Sequence, residues 1–230
     1  MKIGIYTDPH YSSQEITCGN RYNSKSLDKM RAAYRDFMAA GCDRIVCLGD
    51  LTDTEDTKER EIANMREIAA LFAACPIPTT VVMGNHDAYV FEPSEFYALL
   101  GGCTPQDLII EDKTLLFLSA NHNPDGTPYR PHAFRWDACY LPTDGLQERL
   151  DNAQGDVYVF LHQNIDSACP DDHRPRNAEE VHRILADSGK VKAVYQGHYH
   201  WGADTQRDGI RYVTLPATCC YDNTHKIIEL

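Results

Sequence analysis

Apolar, β-type runs that stop abruptly at a residue able to bind a metal recur along this chain, and that recurrence limits the folds open to it. The central example is Arg44-Ile45-Val46-Cys47-Leu48-Gly49-Asp50. The apolar residues read as a buried strand. Gly49 has no β-carbon and allows close approach. The Asp50 carboxylate then stands at the carboxyl end of the strand, where open α/β sheets place their sites. By itself Gly-Asp after an apolar run is an ordinary turn. We read Asp50 as a carboxylate shared by two metal ions because four other stretches carry complementary chemistry.

The first is Lys2 to Thr7, a strand that runs into Asp8-Pro9-His10. Pro9 cannot donate to a ladder and ends it. In an extended segment residues two apart share a side, so Asp8 and His10 face one cation. The β-branched run Thr79 to Met83 leads into Gly84-Asn85-His86-Asp87, which offers an amide carbonyl oxygen and a titratable imidazole. Val157 to Leu161 ends at His162. Val191 to Tyr195 ends in Gln196-Gly197-His198-Tyr199-His200, the strongest local metal signal in the chain.

Helical spacing separates these runs. Leu27, Met30, Tyr34, Phe37 and Met38 form one stripe, with Ser26 as N-cap and Gly41 as stop. Ile62, Met65, Ala69 and Phe72 form another, closed by Pro76 and Pro78. The opening β-α-β order implies a parallel pair with a right-handed crossover. Asn177 and Glu180 have the form of a capping box ahead of a helix buried through Val181, Ile184 and Leu185. Leu108 to Ile110 and Leu115 to Ser119 read as a hairpin. The tail turns at Asp208-Gly209, and Ile210 to Leu215 is expected to pair with a last strand near Lys226 to Glu229. The whole chain, 1–230, reads as one domain, with 88–156 as a lid or substrate-loop insertion. A polar loop from Tyr11 to Lys25 places Asn20 and Arg21 beside the proposed site. Arg21 has the planar fork that suits a phosphate, and a solvated loop arginine is the alternative. The loop residues His122, Arg130, His132 and Arg135 read as solvated positions, with substrate contact as the alternative, and a second loop again carries His173, Arg174 and Arg176.

A formal net charge of −12 argues against a surface built for a nucleic-acid polymer. Bound cations would offset that charge locally and leave small phosphorylated substrates open. No apolar run is long enough to span a bilayer, and the start of the sequence, without a charged n-region and apolar h-region, reads as lacking a signal peptide. The nine cysteines contain no C-x-x-C pair and read as reduced thiols, which predicts a cytoplasmic protein. The vicinal pair Cys219-Cys220 reads as strand-end filler, with redox or soft-metal roles as the lesser alternative.

Taken in order, Asp-x-His, Gly-Asp, Gly-Asn-His-Asp, His and Gly-His-x-His at five strand ends resemble the calcineurin-like metallophosphoesterase superfamily, over most of the chain from Asp8 to His200. The resemblance implies an α/β fold in which two mixed β-sheets pack as a sandwich flanked by helices, in four αββα layers. It implies one metal on Asp8, His10, Asp50 and His200, and a second on Asp50, Asn85, His162 and His198. It also implies hydrolysis of a small phosphodiester, phosphomonoester or nucleoside-diphosphate-linked substrate by a hydroxide held between the metals. His86 would be the proton donor and Asp53 the carboxylate that orients it. Asp87 would either support the ligands or cap a turn. Oxygen and nitrogen donors without thiolate suit Mn, Fe or Zn. Arg21-Tyr22 with Ser26-Leu27, and Asn177-Ala178-Glu179-Glu180, resemble the Mn-dependent ADP-ribose/CDP-alcohol diphosphatase branch. The cyclic-nucleotide phosphodiesterase branch shares the core motifs. A non-catalytic metal-binding module on the same fold and a nuclease are the competing readings. The complete ligand set speaks against the first, and the acidic balance against the second.

Overall fold

The computed structural model describes residues 1–133 and 135–230. In chain order the strands are β1 (Lys2–Tyr6), β2 (Arg44–Cys47), β3 (Thr79–Val81), β4 (Leu108–Ile110), β5 (Lys113–Phe117), β6 (Asp156–Phe160), β7 (Val191–Gln196), β8 (Ala203–Arg207), β9 (Ile210–Thr214) and β10 (Lys226–Glu229). The helices are α1 (Ser26–Ala39), α2 (Lys58–Ala74), α3 (Asn85–Val90), α4 (Pro93–Leu99), α5 (Leu146–Asn152) and α6 (Ala178–Asp187).

One sheet has the order β10-β1-β2-β3 and the other β4-β5-β6-β7-β9-β8. β1, β2 and β3 run parallel, as do β5, β6, β7 and β9, so each sheet gathers its carboxyl ends along one edge. Ile3, Ile5, Val46 and Leu48 of the first sheet pack against Leu115, Phe160, Tyr195 and Val213 of the second. Phe160 stacks between Phe117, at 5.3 Å, and Tyr195, at 5.4 Å, and is fully buried. Truncating such a ring to alanine typically costs about 3–5 kcal/mol. A second apolar cluster lies between the first sheet and α1, α2 and α4. A third lies between the second sheet and α5 and α6. The result is a sandwich of two mixed sheets with helices on both outer faces.

The helices follow their apolar stripes, with shifts where polar groups have internal partners. Met38 is 44% exposed and drops out of the buried face of α1. In α2 the buried face is Glu61, Asn64, Met65, Ile68 and Phe72. Asn177 does not cap α6 through its side chain. Its amide instead bonds both backbone groups of Leu141 and pins the loop ahead of α5. The tail also differs from expectation. β9 pairs antiparallel with β8 across the Asp208-Gly209 turn and parallel with β7, while β10 crosses to pair antiparallel with β1. Alternation in β10 identifies a strand, and the free edge of β1 determines where it goes.

Residues 88–156 are built partly into the framework. β5 takes a central place beside β6, and α4 covers the first sheet. The connection between β5 and α5 is the longest irregular stretch within 88–156. Among the described residues no helix is long and apolar enough to cross a membrane.

Candidate active site

The two sheets are packed so that their carboxyl edges meet. His162, just beyond β6, places Nδ1 2.8 Å from the Leu48 carbonyl beyond β2. The backbone N–H of His198, just beyond β7, donates to Asp8 Oδ2 at 3.0 Å. The close approach requires glycine. A β-carbon on Gly84 would overlap the Asp50 carboxylate, and one on Gly197 would overlap Thr7 Oγ1.

Asp8, His10, Asp50 and His198 all have left-handed backbone, with φ of 51°, 44°, 52° and 64°. The extended geometry expected for Asp8-Pro9-His10 is therefore absent. A non-glycine residue held there stores local strain, a feature that clusters at functional sites. Neighbouring loops hold it in place. Asp8 N–H donates to Gly49 O at 3.0 Å, and His10 N–H to Asp50 O at 3.0 Å. Asp87 accepts from the backbone N–H groups of Asp50, Leu51 and Gly84, each at 2.9 Å, and so locks two ligand-bearing loops together.

Asp50 sits at the centre. Its Oδ1 accepts from the His86 backbone N–H at 2.8 Å. Its Oδ2 lies 3.5 Å from His10 Nε2 and 3.3 Å from His162 Nε2. On the His10 side, His200 Nε2 is 3.2 Å from His10 Nε2 and 3.3 Å from Asp8 Oδ1. On the other side, His162 Nε2 is 2.9 Å from Asn85 Oδ1, and ligand atoms of Asp50, His162 and His198 lie within 4.8 Å of one another. All seven sequence-predicted ligand positions thus converge around one carboxylate, and all are buried.

Several of these atoms lack a protein hydrogen bond. Asp8 Oδ1, His10 Nδ1 and His198 Nε2 are buried without a hydrogen bond among the described residues. Unpartnered polar atoms in a dry pocket are costly unless something else satisfies them. The field is also one that holds cations. Burial disfavours imidazolium, yet the charge of Asp50 pushes His162 up to about 9, and the Asp8 carboxylate 3.3 Å away pushes His200 up to about 10. Burial lowers His10 to about 4 and takes His198 well below the usual range, leaving neutral donors beside them. Burial opposes ionisation of Asp8 and Asp50, and the surrounding imidazoles outweigh it and hold both well below the usual carboxylate range. Metal ions would be favoured by the same field and would displace the imidazolium protons. The donor set fits divalent metal.

Cys219 also reaches the cluster, its sulfur grouped with His10 and His200. The bond to Cys220 and burial hold its thiol far above the usual range, so it is a poor ligand beside two imidazoles.

His86 lies at the mouth, its ring 4.6 Å from that of His10. Its Nδ1 is 3.1 Å from Asp53 Oδ1. Burial works against its charge, but the charge of Asp50 and the bond to Asp53 raise its pKa. Arg21, the second predicted phosphate reader beside Asn20, reaches Asp53 Oδ2 at 3.4 Å and is not a freely solvated side chain. A cleft of about 380 Å³ opens over the cluster, lined by Asn20, Arg21, Asp50, Asn85, His86 and His198 among others. His173, Trp136 and Trp201 also line it. The sequence offered no signal for the tryptophans and gave His173 only as a loop residue. Arg135 pairs with Asp137 at 2.8 Å, and His132 packs edge-on to Tyr89, as surface residues do.

The chain is 27% identical to the 3′,5′-cyclic adenosine monophosphate phosphodiesterase CpdA of Escherichia coli K12, over 98% of this chain and 78% of the relative. A shorter match, 35% identical over 80 residues, relates it to CpdA of Haemophilus influenzae. Among solved structures, a dimetal phosphatase from Danio rerio aligns over 100% of this chain and 92% of its own, with a TM-score of 0.77 at 18% identity. Residues 1–202, which include all seven predicted ligand residues, match the family model for calcineurin-like phosphoesterases, and the chain therefore belongs to that family of metal-dependent phosphoester hydrolases.

Proposed function

We propose that this protein hydrolyses a small phosphoester or phosphoanhydride with two metal ions, one held by Asp8, His10, Asp50 and His200 and the other by Asp50, Asn85, His162 and His198. The observation that carries the reading is the position of Asp50 Oδ2, 3.5 Å from His10 Nε2 and 3.3 Å from His162 Nε2. One carboxylate oxygen faces both ligand sets. Oxygen and imidazole donors suit Mn, Fe or Zn. When bound, such ions neutralise phosphoryl oxygens and lower the pKa of water.

The remaining work falls to side chains. Asp53 accepts from Thr17 Oγ1 at 2.6 Å and from Asn23 Nδ2 at 2.9 Å, which fixes its carboxylate. With Nδ1 of His86 turned to Asp53, the opposite nitrogen, Nε2, is the one free to protonate the departing oxygen. Arg21 and Asn20 line the same cleft and orient the phosphoryl group. The buried ligand shell excludes bulk water and strengthens each of these interactions. The cyclic AMP named for the E. coli relative is one candidate substrate, and nucleoside-diphosphate-linked compounds are others. The small cleft and acidic chain favour a small molecule over a nucleic-acid polymer.

The test is a paired measurement. Apo-protein reconstituted with Mn, Fe or Zn should bind close to two ions per chain and hydrolyse a chromogenic phosphodiester. Asp50→Asn should lose both ions together. Full occupancy in that variant would overturn the shared-carboxylate reading.

A further inference from the structure

The sequence contains two tryptophans, and both line the cleft above the ligand cluster. They come from different loops. Trp136 lies between β5 and α5, and Trp201 lies between β7 and β8, immediately after His200. Neither is used by the hydrolytic machinery, and both are large apolar groups left in water, at 45% and 61% exposure. They are joined by an unbroken row of rings. Trp136 is 5.5 Å from His173, His173 is 5.3 Å from Tyr199, and Tyr199 is 5.2 Å from Trp201. The row borders the ligand cluster directly, because the His198 ring lies 5.1 Å from that of His173 and 6.3 Å from that of Trp136.

From this juxtaposition we propose that the aromatic row Trp136–His173–Tyr199–Trp201 is a base-binding subsite, and that the substrate is a nucleotide whose base stacks there while its phosphate lies over Asp50. The proposal rests on the phosphoester reading above and names its substrate class.

The chemistry of the row selects a planar heteroaromatic ligand over an aliphatic one. Trp136, His173 and Trp201 present their rings to the cleft, with Tyr199 packed edge-on to His173 as the link to Trp201, and stacking on such rings tolerates any base. The row contains no aliphatic wall that would prefer an acyl chain, and the cleft, at about 380 Å³, has the size of a small-ligand site. His173 is fixed by Asp172, 2.6 Å from its Nδ1, so the centre of the row is preorganised. Polar edges are also available, because Asn20 and Arg21 line the same cleft. With one end of the row against His198, a base seated on it stays within one nucleoside of the phosphoryl group.

Because the two tryptophans are the whole indole content of the chain, their fluorescence reports on this cleft alone. Mn-loaded protein is titrated with AMP and with ribose 5-phosphate, which has the same phosphate and sugar but no base. AMP should quench the emission and bind roughly 5- to 100-fold more tightly than ribose 5-phosphate, the range that one or two stacking contacts supply. Calorimetry on Trp136→Ala and Trp201→Ala should show that preference reduced, with ribose 5-phosphate affinity unchanged. Trp201→Phe, which keeps a π-face, should retain most of it. Equal affinity for AMP and ribose 5-phosphate in the wild type, absence of AMP binding, or a preference untouched by either alanine variant would each overturn the subsite. Failure of the hydrolytic reading is separable, since it would appear as no turnover of any phosphoester with the AMP preference intact.

Discussion

The Nδ1 atom of His86 sits 3.1 Å from Oδ1 of Asp53, at the open end of an otherwise buried cluster. Asp53 is itself gripped by Thr17, Asn23 and its neighbour's backbone N–H at Thr54, so its carboxylate has little freedom to follow the imidazole. The pair fixes which ring nitrogen faces the cleft. Removing the imidazole should therefore affect chemistry and leave the metal ligands alone. His86→Ala is expected to lower turnover by roughly 10²–10⁴-fold while metal content stays near that of the wild type. Asp53→Asn should give a smaller loss and move the alkaline limb of the pH–rate profile, where the donor loses its proton, to lower pH, because the Asp53 carboxylate helps to raise the His86 pKa. Parallel measurement of kcat and bound metal checks this, and wild-type turnover in His86→Ala would remove the proton-donor role.

Much of this cluster is legible in the sequence, for a physical reason. A parallel strand buried on both faces leaves polar side chains only beyond its end, so Asp50, His162 and His198 announce both the strand and the site. The resemblance then grouped them. The rest depended on partners that a linear pattern does not encode. The left-handed backbone at Asp8 and His10 is set by bonds to Gly49 and Asp50, distant in sequence. The pairing of β10 with β1 depended on which sheet edge stood free. Asn177 has capping chemistry, and its amide was drawn instead to Leu141. Trp136 and Trp201 lie in irregular loops where no periodicity separates a cleft wall from an ordinary surface.

Gly84 tests how tightly the two ligand-bearing loops are packed. Its φ of −85° is available to any residue, so backbone strain cannot account for a glycine there. What excludes a larger residue is the Asp50 carboxylate, into which a β-carbon would project. Gly84→Ala should displace Asp50, lower thermal stability by about 1–3 kcal/mol and weaken both metals. Calorimetric unfolding with metal titration measures both effects. A variant that melts and binds metal like the wild type would show that the loops separate easily.

Arg21 is the one guanidinium among the cleft-lining residues, and it rests on Asp53 at 3.4 Å without a tight bidentate bond. A cation held loosely by one anion can turn to another. Arg21→Ala is expected to raise KM for phosphorylated substrates roughly 5- to 50-fold with a smaller change in kcat, as loss of a single charge-assisted contact does. If kcat falls and KM holds, Arg21 acts through Asp53 and His86 rather than on the phosphate.

Glu61 makes a prediction about stability. It is 2% exposed on the inner face of α2, its Oε1 accepts from Glu55 N–H at 2.6 Å, and its Oε2 has no partner among the described residues. Burial raises its pKa most strongly. The Glu55 N–H bond and the nearby Thr52 hydroxyl oppose that rise, the charges of Glu55 and Asp53 add to it, and the group is pushed up to about 7. The folded state therefore holds this proton more tightly than the unfolded chain, whose carboxyl titrates near the ordinary 4.5. The favourable contribution is complete below about 4.5, declines as pH rises through 7, and is gone above it. Glu61→Gln keeps the acceptor for Glu55 and removes the titration. The variant should gain stability relative to wild type as pH rises from 4.5 to 8, by on the order of 1–3 kcal/mol. Urea unfolding of both proteins across that range, at one fixed metal concentration, provides the comparison. Two parallel curves would mean that Glu61 stays ionised in the fold, and that the Glu55 N–H alone is enough to hold a buried carboxylate beside Asp53.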